Sequence, residues 1–253
     1  MLVFALTLYS CSESEMFDND EVGNLVLKLS NDDSINNGSG IIVRSNDETD
    51  ISQYLVTIRQ NNVVRLSQKY NTLTSENLFF KAGANYYASA QNCDDTEAEN
   101  DNNLWGRPRY FGESESFDIV KSKETSVEIN CSMINSKASV SFDSSMAESF
   151  SDYKITLYNN DNRKLVFDSN STVSSPIAYF NVGENMDITY LIEATGKSSQ
   201  QERRIEGTVK NNLPAKWIKI SVKTTPSGSV SVNAVSIDNT VDDNQNNSTI
   251  DPY

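Results

Sequence analysis

The sequence predicts an all-β protein built as two tandem antiparallel β-sandwich domains. Three observations lead there. Apolar residues recur with period two in short runs bounded by Asn, Asp, Ser and Gly. No long stretch carries the 3.6-residue period of an amphipathic helix. The same series of strand phrases occurs twice, about 100 residues apart, which is the length of one sandwich.

The first block opens with Leu25, Leu27 and Leu29 alternating with Asn24, Val26, Lys28 and Ser30, a strand with one buried face. Asn31 to Ser39 reads as a polar loop and Gly40 to Arg44 as a short strand. Tyr54 to Arg59 and Val63 to Leu66 are β-branched runs joined by Gln60-Asn61-Asn62, the pattern of a hairpin. Leu78-Phe79-Phe80, the turn Ala82 to Asn85 and Tyr86 to Ala90 make a second strand–turn–strand unit. Cys93 to Asn103 is acidic and Asn-rich and reads as loop; Phe117 to Val120 and Val127 to Cys131 close the block.

The second block repeats the first. Tyr153 to Leu157 answers Tyr54 to Ile58, 99 positions later, and Lys164 to Phe167 supplies the return strand of the hairpin. Phe180-Asn181-Val182-Gly183-Glu184-Asn185 answers Phe80 to Asn85, which sets Gly83 and Gly183 at equivalent turns. Ile218-Lys219-Ile220 answers Val127-Glu128-Ile129, and Trp217 beside it reads as core. Met146 to Ser151 reads as one helical turn. The expected organisation is a leader over 1–11, a flexible acidic tether over 12–22, sandwiches over 23–133 and 134–237, and a disordered polar tail over 238–253.

Composition narrows the function. At 253 residues and 37% hydrophobic content the chain suits two domains with thin cores. A formal net charge of −14 repels a phosphate backbone, so nucleic acid is excluded as a partner. The chain has no histidine, which removes Ser–His and Cys–His nucleophiles. Its three cysteines lack zinc-site spacing. Asp/Glu pairs could still do glycosidase chemistry, and other proton transfer near neutral pH would need a Glu, Asp, Lys or Tyr with a strongly shifted pKa. The expectation is a protein that is not an enzyme, with no catalytic residue, no metal and no cofactor.

Met1 to Tyr9 is an apolar run, too short to span a bilayer, followed by Ser10 and Cys11. It reads as the core of a secretory signal. Leu8-Tyr9-Ser10-Cys11 resembles a bacterial lipobox, with an apolar residue at −3 and a small one at −1, although no Lys or Arg precedes the run. That resemblance implies lipidation at Cys11 and a membrane partner through the acyl chains, each buried CH₂ contributing about 0.8 kcal/mol. The acidic residues behind Cys11 resemble the signal that directs Bacteroidetes lipoproteins to the outer face of the outer membrane.

Further phrases converge on a family. Gly23-x-Leu25-x-Leu27-x-Leu29, then Ala82 to Ala90, then Trp105-Gly106-Arg107-Pro108-Arg109-Tyr110-Phe111-Gly112, then Val127-x-Ile129-x-Cys131 and Ala138-x-Val140-x-Phe142 follow in fixed order. With the lipobox they resemble an uncharacterised Bacteroidetes lipoprotein family of unknown function. More distantly they are similar to fimbrillin-type surface proteins, tandem sandwiches of transthyretin- or immunoglobulin-like fold. The resemblance implies a cell-surface role in adhesion and brings no catalytic residues.

Candidate sites are few. Cys93 and Cys131 can pair in an oxidising compartment; the bridge would close a loop of about 38 residues and stabilise by roughly 3–4 kcal/mol. Asp94, Asp95, Glu97, Glu99 and Asp101 offer oxygen atoms to Ca²⁺ but lack a calcium-loop spacing. Trp105, Arg107, Arg109, Tyr110 and Phe111 lie in a long connection, where they either contact a protein or glycan ligand or pin the loop to the fold. Asp33-Ser34-Ile35 resembles a Bacteroidetes O-glycosylation tripeptide. The function expected is a lipid-anchored surface module for adhesion or scaffolding. The alternative is a carbohydrate-binding accessory lipoprotein of a glycan-uptake system.

Overall fold

The computed structural model describes residues 21–32, 50–101, 104–159, 163–169, 177–181, 187–209, 215–224, 230–237 and 248–250, the last two stretches as backbone only. Cys11, Asp33-Ser34-Ile35, the strand expected over Gly40 to Arg44, and Gly183 lie outside the described residues.

The chain is all-β. The first half contributes β1 (Val22–Asp32), β2 (Leu55–Gln60), β3 (Val63–Lys69), β4 (Phe79–Lys81), β5 (Gly83–Gln91), β6 (Tyr110–Glu113), β7 (Phe117–Ile119) and β8 (Glu124–Met133). They pair in the order β3-β2-β5-β6-β8-β1-β4, with β7 also on β5. The second half contributes β9 (Asn135–Phe142), β10 (Phe150–Tyr158), β11 (Lys164–Asp168), β12 (Ile177–Asn181), β13 (Ile188–Gly196), β14 (Glu202–Val209), β15 (Trp217–Thr224), β16 (Val230–Ile237) and β17 (Ser248–Ile250). These form one sheet of order β11-β10-β13-β14 and another of order β12-β9-β15-β16-β17.

One pairing scheme occurs in both halves. β1 lies between β4 and β8 as β9 lies between β12 and β15, and β3-β2-β5 has its counterpart in β11-β10-β13. Pairing is antiparallel except where the first strand of each half meets its last long partner: β1 with β8 and β9 with β15 are parallel. Sequence alternation shows which face is buried but not strand direction, so these parallel contacts were not expected. The halves differ at β6, which pairs with both β5 and β8 and joins the two strand groups of the first half.

Local chemistry explains the elements. Asn61 and Asn62 join β2 to β3 at φ 47° and 67°, the two positive φ values of a tight turn that follows the twist of the strands. On β8, Val127, Ile129, Cys131 and Met133 are buried and alternate with exposed residues. Leu25, Val56, Ile58, Ala88 and Ile129 belong to the first core, and Ile155, Leu157, Phe180, Tyr190, Ile192 and Ile220 to the second. Phe80 and Phe180, matched by sequence, are 7% and 0% exposed.

Three expectations change. Residues 93–103 are not all loop: α1 (Asp95–Asn100) forms there, with Asp94 as N-cap accepting from the backbone N–H of Glu97 at 2.7 Å. Tyr110 to Glu113 is a strand rather than connection. The tail is not wholly unstructured, because Ser248–Ile250 pairs with Val230–Val232; backbone pairing on an open edge needs no apolar side chains. Met146 does lie in a short helix, α2 (Ser144–Ser149).

The β10–β13–β14 face carries a charge ladder. Lys154, Glu193 and Arg204 are register partners across three strands, with Lys154 Nζ 3.1 Å and Arg204 Nη2 2.7 Å from the Glu193 carboxylate. The hydrogen bond from Lys154 holds the Glu193 pKa below its ordinary value of 4.5. A carboxylate with a depressed folded pKa stabilises above its unfolded pKa and loses that contribution as pH falls through the folded value. Both cations are well exposed, so the effect is small. Glu193→Gln should cost about 0.5–1 kcal/mol at neutral pH and low salt. The cost should vanish once the pH falls below the carboxylate range, as read from urea midpoints at each pH.

Candidate functional site

The residues singled out between Cys93 and Phe111 come together, but facing inward. Trp105 packs edge-on against Phe167 of β11, ring centroids 4.9 Å apart, and joins the second core. Tyr110 is 2% exposed in the first core, 6.5 Å from the Tyr54 ring. Asn92 fixes that strand: its side-chain oxygen accepts from the Tyr110 N–H at 2.8 Å, and its amide donates to the Pro108 carbonyl at 2.8 Å. Phe111 is half-buried. An exposed aromatic ligand patch is therefore not what these side chains form. The long connection crosses from one core to the other, Trp105 packing on the second and Tyr110 entering the first.

The arginines follow the same logic. Arg107 bonds Glu97 and lies 3.3 Å from Asp101. Arg109 bonds Asp95 and donates from Nε to the Cys93 carbonyl at 3.4 Å. Of the acids read as calcium ligands, Asp95, Glu97, Glu99 and Asp101 pair with arginines and Asp94 caps α1, and among the described residues no group of three metal-ligating side chains converges. Asn135 ties the connection to β9, accepting from the Arg109 N–H at 3.0 Å and donating to the Arg107 carbonyl at 2.8 Å. Gly106 sits at φ +83°, a conformation that favours glycine, with its ideal Cβ position only 3.0 Å from the Ala98 carbonyl oxygen and 3.1 Å from the Tyr179 backbone.

The centre of this joint is a residue that sequence reading missed. Arg163, immediately before β11, donates to the carbonyls of Tyr179 and Leu104 and, at 3.0 Å, to that of Glu99. Its guanidinium is 3.7 Å from the Glu99 carboxylate and 5.1 Å from the Phe180 ring centroid, with the side chain 11% exposed. Burial pulls its pKa down, opposed by the charge of Glu99. Glu99 also accepts from the Asn181 N–H at 3.2 Å, and Tyr179 donates its N–H to Trp105 at 2.8 Å while its ring enters the first core. No local signal marks the role of Arg163, because the partners of its guanidinium lie 16 to 64 positions away.

Cys93 and Cys131 do not pair. Both are free and buried. Cys131 Sγ donates to the Ala90 carbonyl at 3.6 Å within the first core, while Cys93 Sγ donates to the Asn92 side-chain oxygen at 3.4 Å. Burial raises both thiol pKa values, that of Cys131 to about 11, so neither is a ready nucleophile. Trp217 is not core: it is half-buried on the outer face of β15, with Lys137 and Lys219 ammonium groups 4.3 and 4.0 Å from its ring centroid. Among the described residues no helix is long and apolar enough to cross a membrane.

Strand order and two apolar cores bridged by a part-buried charge cluster define an all-β sandwich protein. The chain belongs to the family described as Domain of unknown function (DUF4493), whose profile matches residues 21–252. The family resemblance drawn from the ordered strand phrases is thereby met. Among solved structures the chain is similar to the fimbrial anchor protein Mfa2 from Porphyromonas gingivalis, at 11% identity over 85% of this chain and 98% of that chain, TM-score 0.44. It is also similar to a fimbrial assembly protein from Parabacteroides distasonis, at 9% identity over 90% of this chain and 98% of that chain, TM-score 0.44. No curated protein matches the chain.

Proposed function

We propose that the chain is a lipid-anchored surface protein, an adhesion or scaffold module that binds without catalysing. In this reading Cys11 holds it to the outer membrane, facing the cell exterior, and residues 23–133 and 134–237 are its two sandwich domains. The observation that carries the reading is Leu8-Tyr9-Ser10-Cys11 at the end of an apolar run, with residues 12–21 between it and the first strand. Residues 12–21 span at most about 35 Å when fully extended, which keeps the sandwiches close to the bilayer. A binding role without chemistry is supported by a chain that lacks histidine, has its described thiols buried, and uses its most concentrated charges to join the halves.

The test is Cys11→Ala in the full chain. The wild type is expected in the membrane fraction with added lipid mass, and the variant is expected to leave the membrane or to accumulate unprocessed. Equal fractionation and equal mass would overturn the anchor.

A further inference from the structure

A cleft of about 820 Å³ opens where β1 begins, within the range of small-ligand sites. Its walls come from three adjacent strands. Asn24 of β1 is the register partner of both Phe79 on β4 and Glu124 on β8, so these three side chains form a row on one sheet face. Alternation on β4 sends Phe80 into the core, 7% exposed, and leaves Phe79 outside, 51% exposed. Glu76 borders the cleft from the 3₁₀ turn Ser75–Leu78, which is fixed by a capping box between Thr74 and Asn77. Ser122 and Lys123 close the other side in the β7–β8 turn, held by Ser122 N–H donating to the Val22 carbonyl at 2.8 Å and Asn24 N–H to that of Lys123 at 2.9 Å.

The lining has a specific chemistry. Phe79 is half exposed in the cleft, with Val22 as the other apolar side chain of the lining. Around it are two carboxylates, an amide, a hydroxyl and one ammonium, all able to accept from or donate to hydroxyl groups. Asn24 Oδ1, in the cleft wall, is a buried acceptor with no hydrogen-bond partner. A pyranose matches this set: one face of C–H groups lies against the ring, and its edge hydroxyls donate to carboxylates. Glu76 and Glu124 outnumber Lys123, which disfavours an acidic sugar.

We propose that this cleft binds a neutral saccharide, with Phe79 as the stacking platform and Glu76 and Glu124 as hydroxyl acceptors. The proposal rests on the binding-module reading and names a ligand class for it. The test uses the full chain, saturation-transfer NMR and titration with a panel of neutral hexosides, N-acetylhexosaminides and their short oligomers. Saturable binding of at least one member is expected. Phe79→Ala and Glu124→Gln should each weaken it about tenfold, the size of one stacking or charge-assisted contact, with the thermal midpoint unchanged. Binding to no member of the panel, or binding that survives Phe79→Ala, overturns the cleft. Loss of the cleft with Cys11-dependent membrane attachment intact leaves the anchored module standing, whereas consumption of the saccharide overturns the non-catalytic reading.

Discussion

Arg163→Met should lower the stability of the protein by about 3 kcal/mol, the cost of removing one partner from a part-buried, hydrogen-bonded charge pair. Methionine fills much of the same volume, so the loss is electrostatic rather than a cavity. Three carbonyls, of Tyr179, Glu99 and Leu104, lose their donor, and the Glu99 carboxylate, 21% exposed, is left without its closest cation. Arg163→Lys keeps the charge but replaces a planar fork with a single ammonium that cannot reach three carbonyls at once, so it should recover only part of the loss. Adding Glu99→Gln to Arg163→Met should recover part of the loss, because the orphaned charge is gone while the three carbonyls still lack their donor. Urea midpoints of the four proteins measure this directly. A loss below about 1 kcal/mol in Arg163→Met would mean that the joint contributes no more than a surface ion pair.

Gly112→Ala is expected to be as damaging, at about 3 kcal/mol, through overpacking against groups that cannot move aside. An alanine Cβ there would lie 2.5 Å from the Asn130 carbonyl oxygen, 2.8 Å from its carbon and 3.0 Å from the Cys131 Cα. All three are backbone atoms of β8. Relief requires β6 to move off β8, and β6 is the strand that links the two strand groups of the first half. The consequence is readable at Cys131, which is 0% exposed with its thiol pKa pushed up to about 11. Wild-type Cys131 should resist a thiol reagent at pH 8 in native buffer, and Gly112→Ala should label many times faster. A slow, unchanged labelling rate with a wild-type urea midpoint would show that β6 tolerates the side chain.

Much of the fold is legible along the chain. Leu25-x-Leu27-x-Leu29 and Val127-x-Ile129-x-Cys131 each carry period two because a strand sends successive side chains to opposite faces. The Asn61-Asn62 turn announces itself because few residues accept positive φ. The candidate site was less legible. Residue type marked Trp105, Arg107, Arg109 and Tyr110 as unusual, yet a tryptophan that stacks on a ligand and one that stacks on Phe167 look alike in sequence. The acids of 94–101 likewise look the same whether they await a cation from solution or face Arg107, Arg109 and Arg163.

What the sequence determined by itself was local: the period, the turns, the absence of histidine, the lipobox-like phrase ending at Cys11 and the repeat of strand phrases about 100 residues apart. Only the tertiary structure decided which of Phe79 and Phe80 faces water, that β1 and β8 run parallel, that Cys93 and Cys131 stay apart, and that Arg163 holds the joint. The reason is range. Alternation and turn chemistry act within a few residues of the chain, whereas the partners of Arg163 lie as many as 64 positions away and are selected by how two separately packed cores meet.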